Sequence, residues 1–342
     1  MKNSRTRNAA AILGSLMVLS AAACGKPTDI VDELAVDMGN ATPVESPAAA
    51  NPDGRVIDFE PVRDLDTTEG LVGVRTGDAL TIGSPAELGS GEATRYELSP
   101  ECGDASANAG TFSVACGNVV RLFSAGGEDS VQVEVPVTAA TVATSGEVLV
   151  GSDTERTVWV YRDGEMVKKI PVARETDQIQ AVAVEGQPDT VVRTSRFDTT
   201  IQDLDWAGGR QGGTLRVGLG VGKIAAGEDG LVLAADATGS QLLVYTSDDI
   251  IRLHQMAPVA EGPWDVTWDR THRLAWVSST AGNVAAGYDI SRGVPRELVK
   301  VETVADPQSI VSLDDGSLII ASATGGGLQF VDAADIVAKS KE

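Results

Sequence analysis

The feature that most constrains this chain is a hairpin pattern that returns seven times. Its form is an apolar run, a short turn of small, polar or charged residues, and a second apolar run. The stretch "LAWVSSTAGNVAAGYD", Leu274 to Asp289, shows it clearly. "LVLAADATGSQLLVY", "VLVGSDTERTVWVY" and "LIIASATGGGLQFV" repeat it, and "TVVRTSRFDTTIQDL" does so less cleanly. "TFSVACGNVVRL" and "LVGVRTGDALTI" are tighter versions. Successive hairpins end at Ile82, Leu122, Tyr161, Leu204, Tyr245, Tyr288 and Val331, in steps of 39 to 43 residues. Two packed sheets of a sandwich have no reason to space their hairpins so evenly.

The segments between hairpins repeat as well. Each hairpin is followed by an alternating run ("TRYEL", "VQVEVPV", "KKIPV", "TLRVGL", "IRLHQM", "ELVKVE"). Short inner runs such as "ATVAT", "QAVAV", "GKIAAG", "WDVTW" and "SIVSL" come next, and tight turns such as "GEDG", "DRTHR" and "DDGS" lead back into a hairpin. Four short strands in roughly 40 to 45 residues are the signature of a propeller blade. The last hairpin has no outer run behind it, whereas "RVIDFEPV", Arg55 to Val62, stands unpaired ahead of the first. Donated to the last blade, it would leave no open sheet edge. The expected fold is therefore all-β: a seven-bladed propeller of four-stranded antiparallel blades over 55–334, closed by a strand at about 55–62, with a tail at 335–342. Aromatics are only 4% of the chain, so its core must be built mainly from small and branched aliphatics.

The N-terminus predicts an address. Lys2, Arg5 and Arg7 precede the uncharged run Ala9 to Ala23, the pattern of a secretory signal peptide over 1–23. That run is shorter than the roughly 20 residues needed to span a bilayer. "AAACGK" resembles a bacterial lipobox, with Ala21 where Leu is more usual; such a site is cut before Cys24, which is then lipidated. The alternative is an ordinary signal peptide cut near Ala23. The Pro- and Ala-rich stretch 24–54 reads as a flexible tether, with one or two helical turns in "TDIVDELAVDM". Loss of the leader takes the formal charge from −22 to −25, which argues against nucleic acid and against a basic membrane patch. Membrane attachment then rests on the lipid alone. In an exported protein Cys102 and Cys116 are expected to form a disulfide, worth about 3 kcal/mol for a loop of this length.

The blades resemble those of seven-bladed YVTN/NHL-type propellers, most closely in "LAWVSSTAGNVAAGYD" and "DPQSIVSLDDGSLIIAS". The whole layout resembles the LppL-like propeller lipoproteins of actinobacterial cell envelopes. The resemblance implies an extracytoplasmic, lipid-anchored propeller and carries no catalytic assignment.

Chemistry is sparse. Loops of blades three and four should bring Glu155, Arg156, Arg174, Asp177, Arg193, Arg196 and Asp198 to one face. Guanidinium groups there suit carboxylate or phosphate recognition; the plainer reading is ion pairing among the loops. Trp264, entering blade six, is a candidate contact on that face or an anchor between blades. There is no GxSxG, no HExxH and no thiol paired with His. His254 falls in an outer strand and His272 in a turn on the opposite face, so no histidine zinc site is expected. "GLGVGK" lacks the spacing of a phosphate loop. "DLDTTEG" offers Asp64, Asp66 and Glu69 as oxygen ligands for calcium but lacks the EF-hand register, and a solvated loop is the better reading. Only Asn118 and Asn283 fall in the hairpin turns, few for a metal ring. No cofactor or metal is expected. The expected function is a non-enzymatic, protein-binding or assembly scaffold of the cell envelope, whose partner is another envelope or membrane protein. The alternative is a small-ligand-binding protein or a lactonase-like hydrolase working at the channel mouth.

Overall fold

The structure, a computed structural model, describes residues 39–340. The expected signal peptide, Cys24, the first part of the tether and its helical turns lie outside them. Among the described residues no helix is long and apolar enough to cross a membrane.

Blade six shows how the repeated pattern becomes structure. Its strands Pro263–Asp269, Leu274–Ser279, Val284–Asp289 and Arg296–Glu302 pair antiparallel in chain order. The middle two are buried almost throughout, while the outermost alternates between buried and exposed, as a strand at the rim should. Gly287 seats the Trp276 indole, which a Cβ there would approach to 3.1 Å. Blades one and three to six have the same four-stranded form, and blade seven gains its fourth strand from the N-terminus. In blade two the middle pair is one 14-residue strand, Thr111–Ser124. Its first half pairs with Ala105–Asn108 and its second half with Gly127–Val137.

Ring closure follows the expected route by a shorter strand. Arg55–Ile57 pairs with the last strand of blade seven, Arg55 opposite Phe330 and Ile57 opposite Leu328. The expected strand ran to Val62, but pairing stops earlier. Pro61 has no N–H for a ladder, and Val62 instead opens the innermost strand of blade one, opposite Thr76.

Among the described residues, seven apolar clusters each lie between adjacent blades, and a small eighth lies under the N-terminal segment. The one joining Val311, Ile319 and Phe330 of blade seven to Val62 and Val72 of blade one completes the circle. The tyrosines that end three hairpins are buried. Tyr245 donates its hydroxyl to the Arg216 carbonyl at 2.8 Å, and the hydroxyl of Tyr161 accepts from Glu134 N–H at 3.3 Å. Each thus combines apolar area with a satisfied polar tip.

Cys102 and Cys116 form the expected disulfide, with an S–S distance of 2.04 Å. Beside it lies Arg75, fully buried, whose guanidinium donates to the carbonyls of Gly103 at 3.1 Å and Cys102 at 3.0 Å, and to Thr76. Burial lowers its pKa from the usual arginine value. This guanidinium is held by backbone oxygens alone and fastens the disulfide loop to blade one.

Residues 39–54, expected as part of the tether, are laid across the ring. Asn40 N–H donates to the Arg196 carbonyl of blade four at 2.7 Å, and Ala41 packs against Ala237 and Trp264. Ser46 donates to the Thr280 carbonyl at 2.7 Å and accepts from Asp306 N–H at 3.0 Å. Asn283 donates to the Pro47 carbonyl at 2.7 Å. This strap thus crosses blades four to seven before joining the closing strand. Part of the expected C-terminal tail is also ordered: a helix, Ala333–Lys339, buries Ile336 in the cluster between blades six and seven. Lys339 pairs with Asp53 at 3.0 Å.

Candidate functional site

The innermost strands surround a channel with a cavity of about 490 Å³. All of them begin at the face the strap crosses, since the strap touches Gly262 and Asp306 just ahead of two of them. In blades one, five, six and seven the pairing slips near the start of this strand, around Asp64, Lys223, Asp265 and Ser309. A bulge re-aims the side chain at the slip. Each of these residues is the third of its strand, and four neighbouring blades thereby set four polar groups at one level of the channel.

Lys223 is the centre of that level. Its ammonium donates to the Asp64 carboxylate, to Ser309 Oγ at 3.0 Å and to the Arg63 carbonyl at 3.1 Å. Asp265 accepts from Val266 N–H at 2.7 Å and Ile310 N–H at 2.9 Å. Burial alone would lower the lysine's pKa, but Asp64, Asp265 and Asp104 together hold it above the ordinary lysine range. One ammonium cannot offset all the carboxyls around it. Burial pushes Asp265 up to about 7. Asp66, two residues along the strand from Asp64, is raised well above the usual carboxylate range by burial and then by Asp64. Asp64 is raised as well, burial outweighing the pull of Lys223. Of the loop expected in "DLDTTEG", Asp64 and Asp66 are instead part of an innermost strand. Among the described residues no group of three His, Cys, Asp or Glu side chains is placed to hold a metal ion.

The arginine-rich loops pair largely among themselves. Arg156 bonds Glu175 at 2.8 Å, and Arg174 bonds Asp198 at 2.9 Å while lying over the Phe197 ring. Arg193 is buried and donates to Gln202 and to the carbonyls of Arg174 and Glu175; burial lowers it to about 10. Asp177 accepts the backbone N–H of Arg196 at 2.5 Å, and burial raises its pKa. The Arg196 guanidinium stacks over Trp264 at 5.4 Å. Trp264 itself is 5% exposed because Ala41 of the strap covers it. The expected face is brought together, with the chain's own N-terminal segment lying on part of it.

The remaining candidates have structural roles. His254 bonds Thr246 at 2.8 Å on an outer strand, and His272 bonds Asp269 at 2.7 Å in its turn. The glycines of "GLGVGK" serve close packing. Gly218 has φ 53°, and a Cβ on Gly222 would stand 2.6 Å from the Trp264 carbonyl. Asp236 accepts the backbone N–H groups of Leu219 and Gly220 at 3.0 Å each, so a carboxylate occupies the place a phosphate would take in such a loop.

Comparison with known proteins gives the fold. No family model matches the sequence, and no curated protein matches it. Among solved structures, a chain of a mitotic checkpoint complex superposes with a TM-score of 0.65 at 14% identity, covering 96% of this chain and 99% of that one. Streptogramin B lyase gives 0.62 at 12% identity, covering 82% and 96%. The WD40 β-propeller domain of Doa1 gives 0.57 at 12%, covering 84% and 95%. The chain is a seven-bladed β-propeller. At these identities the likeness carries the fold and no function.

Proposed function

We propose that this propeller is a lipid-anchored, extracytoplasmic scaffold that holds another protein of the cell envelope and catalyses no reaction. The observation that carries the reading is the engagement of the channel's lysine. Lys223 is bonded to Asp64, Ser309 and a backbone carbonyl, so it joins blades and is not a free nucleophile or base. Three arginines of the loop face, Arg156, Arg174 and Arg193, are likewise held by Glu175, Asp198, Gln202 and carbonyl oxygens, and Arg196 lies over the Trp264 ring. What remains for recognition is a rigid ring with varied surface loops, which suits protein docking. One of the similar folds sits in a mitotic checkpoint complex; this is an analogy of shape.

The anchoring rests on the basic start, the short apolar run and Cys24, and on the resemblance to LppL-like lipoproteins. From Cys24 to the start of the strap is about 15 residues, a length of chain that can reach at most roughly 50 Å, so an anchored ring would stay near the membrane. Crosslinking in cells, read by mass spectrometry, tests the scaffold. A reproducible envelope partner is expected, and lactone turnover by the purified protein with no partner recovered would overturn it. Cys24→Ser should release the protein from membranes, and processing of the native chain should be blocked by globomycin. Soluble export of the unchanged protein would overturn the anchor.

A further inference from the structure

Blade one departs from the repeat between its two outer strands. Blades two to six join these strands by two to six residues, whereas blade one uses residues 84–93 and folds them into a short helix, Pro85–Ser90. A capping box between Ser84 and Glu87 starts the helix, and Gly91, in the left-handed region, ends it. Facing it is the hinge that carries the chain from the closing strand into blade one. Helix and hinge enclose a second cavity, of about 340 Å³. Thr81 and Leu88 are buried at its floor, Phe59 and Ala93 are half-buried on its walls, and Asp58 and Glu60 stand exposed at its edge. Blades two to six are complete without such a helix, so the hollow is additional to what the ring requires.

Charge selects what would fill it. Asp58, Glu60, Asp78, Glu87, Glu92 and Glu97 are all exposed in or beside the lining. Hydrogen bonds from Ser84 hold Glu87 below the usual carboxylate range. Arg95 is the one base of the lining, and it is outnumbered: its guanidinium bonds Glu60, Asp78 at 2.7 Å and Glu97 at 3.2 Å. Arg55 is nearby but lies over the Phe330 ring at 4.5 Å. An apolar hollow with an acidic edge suits an apolar anchor carried between cations. The apolar part supplies the affinity, and the charges guide the approach.

We propose that this cavity on the rim of blade one docks a segment of a partner protein in which a large apolar side chain is flanked by lysine or arginine. The apolar side chain enters between Phe59 and Leu88, and the flanking cations meet Asp58 and the carboxylates beside it. This rests on the docking role proposed above and gives it a surface. That surface lies away from the loop face, where the strap already covers Trp264.

Photo-crosslinking in cells tests it on the full-length protein. p-Benzoylphenylalanine at Thr94, an exposed position next to Ala93 and Arg95 of the lining, should give an adduct with an envelope protein. At Leu219, exposed beside the strap, it should give none. The adducted peptide, read by mass spectrometry, should carry Lys or Arg beside a large apolar residue. Asp58→Lys should lower the yield about threefold, and Ala93→Trp, which fills the cavity, about tenfold. Asp58 is exposed, so Asp58→Lys decides the matter if Ala93→Trp fails to fold. Glu185→Lys, at an exposed position on blade four, should leave the yield unchanged and so separates the cavity from the overall charge. An adduct only from Leu219, an adducted segment without basic residues, or a yield indifferent to Asp58→Lys overturns the cavity's role and leaves the scaffold standing. So does the absence of a Thr94 adduct when general crosslinking still recovers a partner. If no crosslinker captures a partner, the scaffold falls and this surface with it.

Discussion

The ammonium of Lys223 in blade five is bonded to the carboxylate of Asp64 in blade one, 159 residues away and across the channel. The two blades are not neighbours in the ring. Both side chains are almost completely buried, and the contact exists only when every blade between them is in place.

Replacing Lys223 by Met should therefore act on the whole ring. It strands Asp64 and Asp265 without their cation, and breaking such a buried pair costs about 3–5 kcal/mol. Urea unfolding should show a lower midpoint for Lys223→Met, with part of the loss recovered in the double variant Lys223→Met/Asp64→Asn. An unchanged midpoint would refute the role of Lys223 as a pin.

The pH dependence has a definite sign at Asp265. In the fold it keeps its proton up to about 7, against an ordinary value of 3.8. Between those values the folded state binds more protons than the unfolded one, so this group's contribution falls as pH rises from about 4 to 7 and is level above. Glu147 and Glu175, held below the usual range by their hydrogen bonds and arginine partners despite burial, act in the opposite sense at lower pH. The comparison is thus wild type against Asp265→Asn, and their difference in unfolding free energy should change between pH 4 and 7. Parallel curves across that range would show that Asp265 does not titrate there.

Reduction of the Cys102–Cys116 bridge should lower stability by about 3 kcal/mol. Arg75→Met should have an effect of at least similar size, because the carbonyls of Gly103 and Cys102 lose their donor inside the core. Since both changes loosen one loop, the combined loss should fall short of the sum. Denaturant titration of the double-mutant cycle measures this, and strict additivity would separate the two.

Ala41→Asp should detach the strap. It places a carboxylate against Trp264 and Ala237, a cost of several kcal/mol if the segment stays in place. The measurable outcomes are faster proteolysis within 41–50 and a shifted Trp fluorescence. Unchanged cleavage would mean that the strap adds nothing to protection.

Much of the architecture was legible because hairpin spacing is local. The endpoints at Tyr161, Tyr245 and Tyr288 fall where buried hydroxyls find partners, and "GKIAAG" and "WDVTW" read as inner strands from the repeat alone. The channel cluster was not legible. Lys223 and Asp265 sat in recognised inner runs, but their meaning depends on Asp64, and "DLDTTEG" read as a solvated loop because it lacks the register of a calcium loop. The signal was positional: in aligned repeats Asp64, Lys223, Asp265 and Ser309 are all third in the innermost strand, a place where an unmatched charge would be costly. Arg75 gave no such hint, since a guanidinium held by carbonyls has no acidic partner to find in the sequence. The strap was missed because its Pro- and Ala-rich composition suits a tether equally well.

The closing strand has a consequence for the order of events at synthesis. Arg55, among the first residues of the ring to emerge, waits for Phe330, among the last. Until then blade seven lacks its fourth strand, Lys223 has no closed ring to span, and the strap has no complete rim to lie on. The ring therefore reaches its final form only when its last blade has been made, because its two ends meet in that one pair of strands.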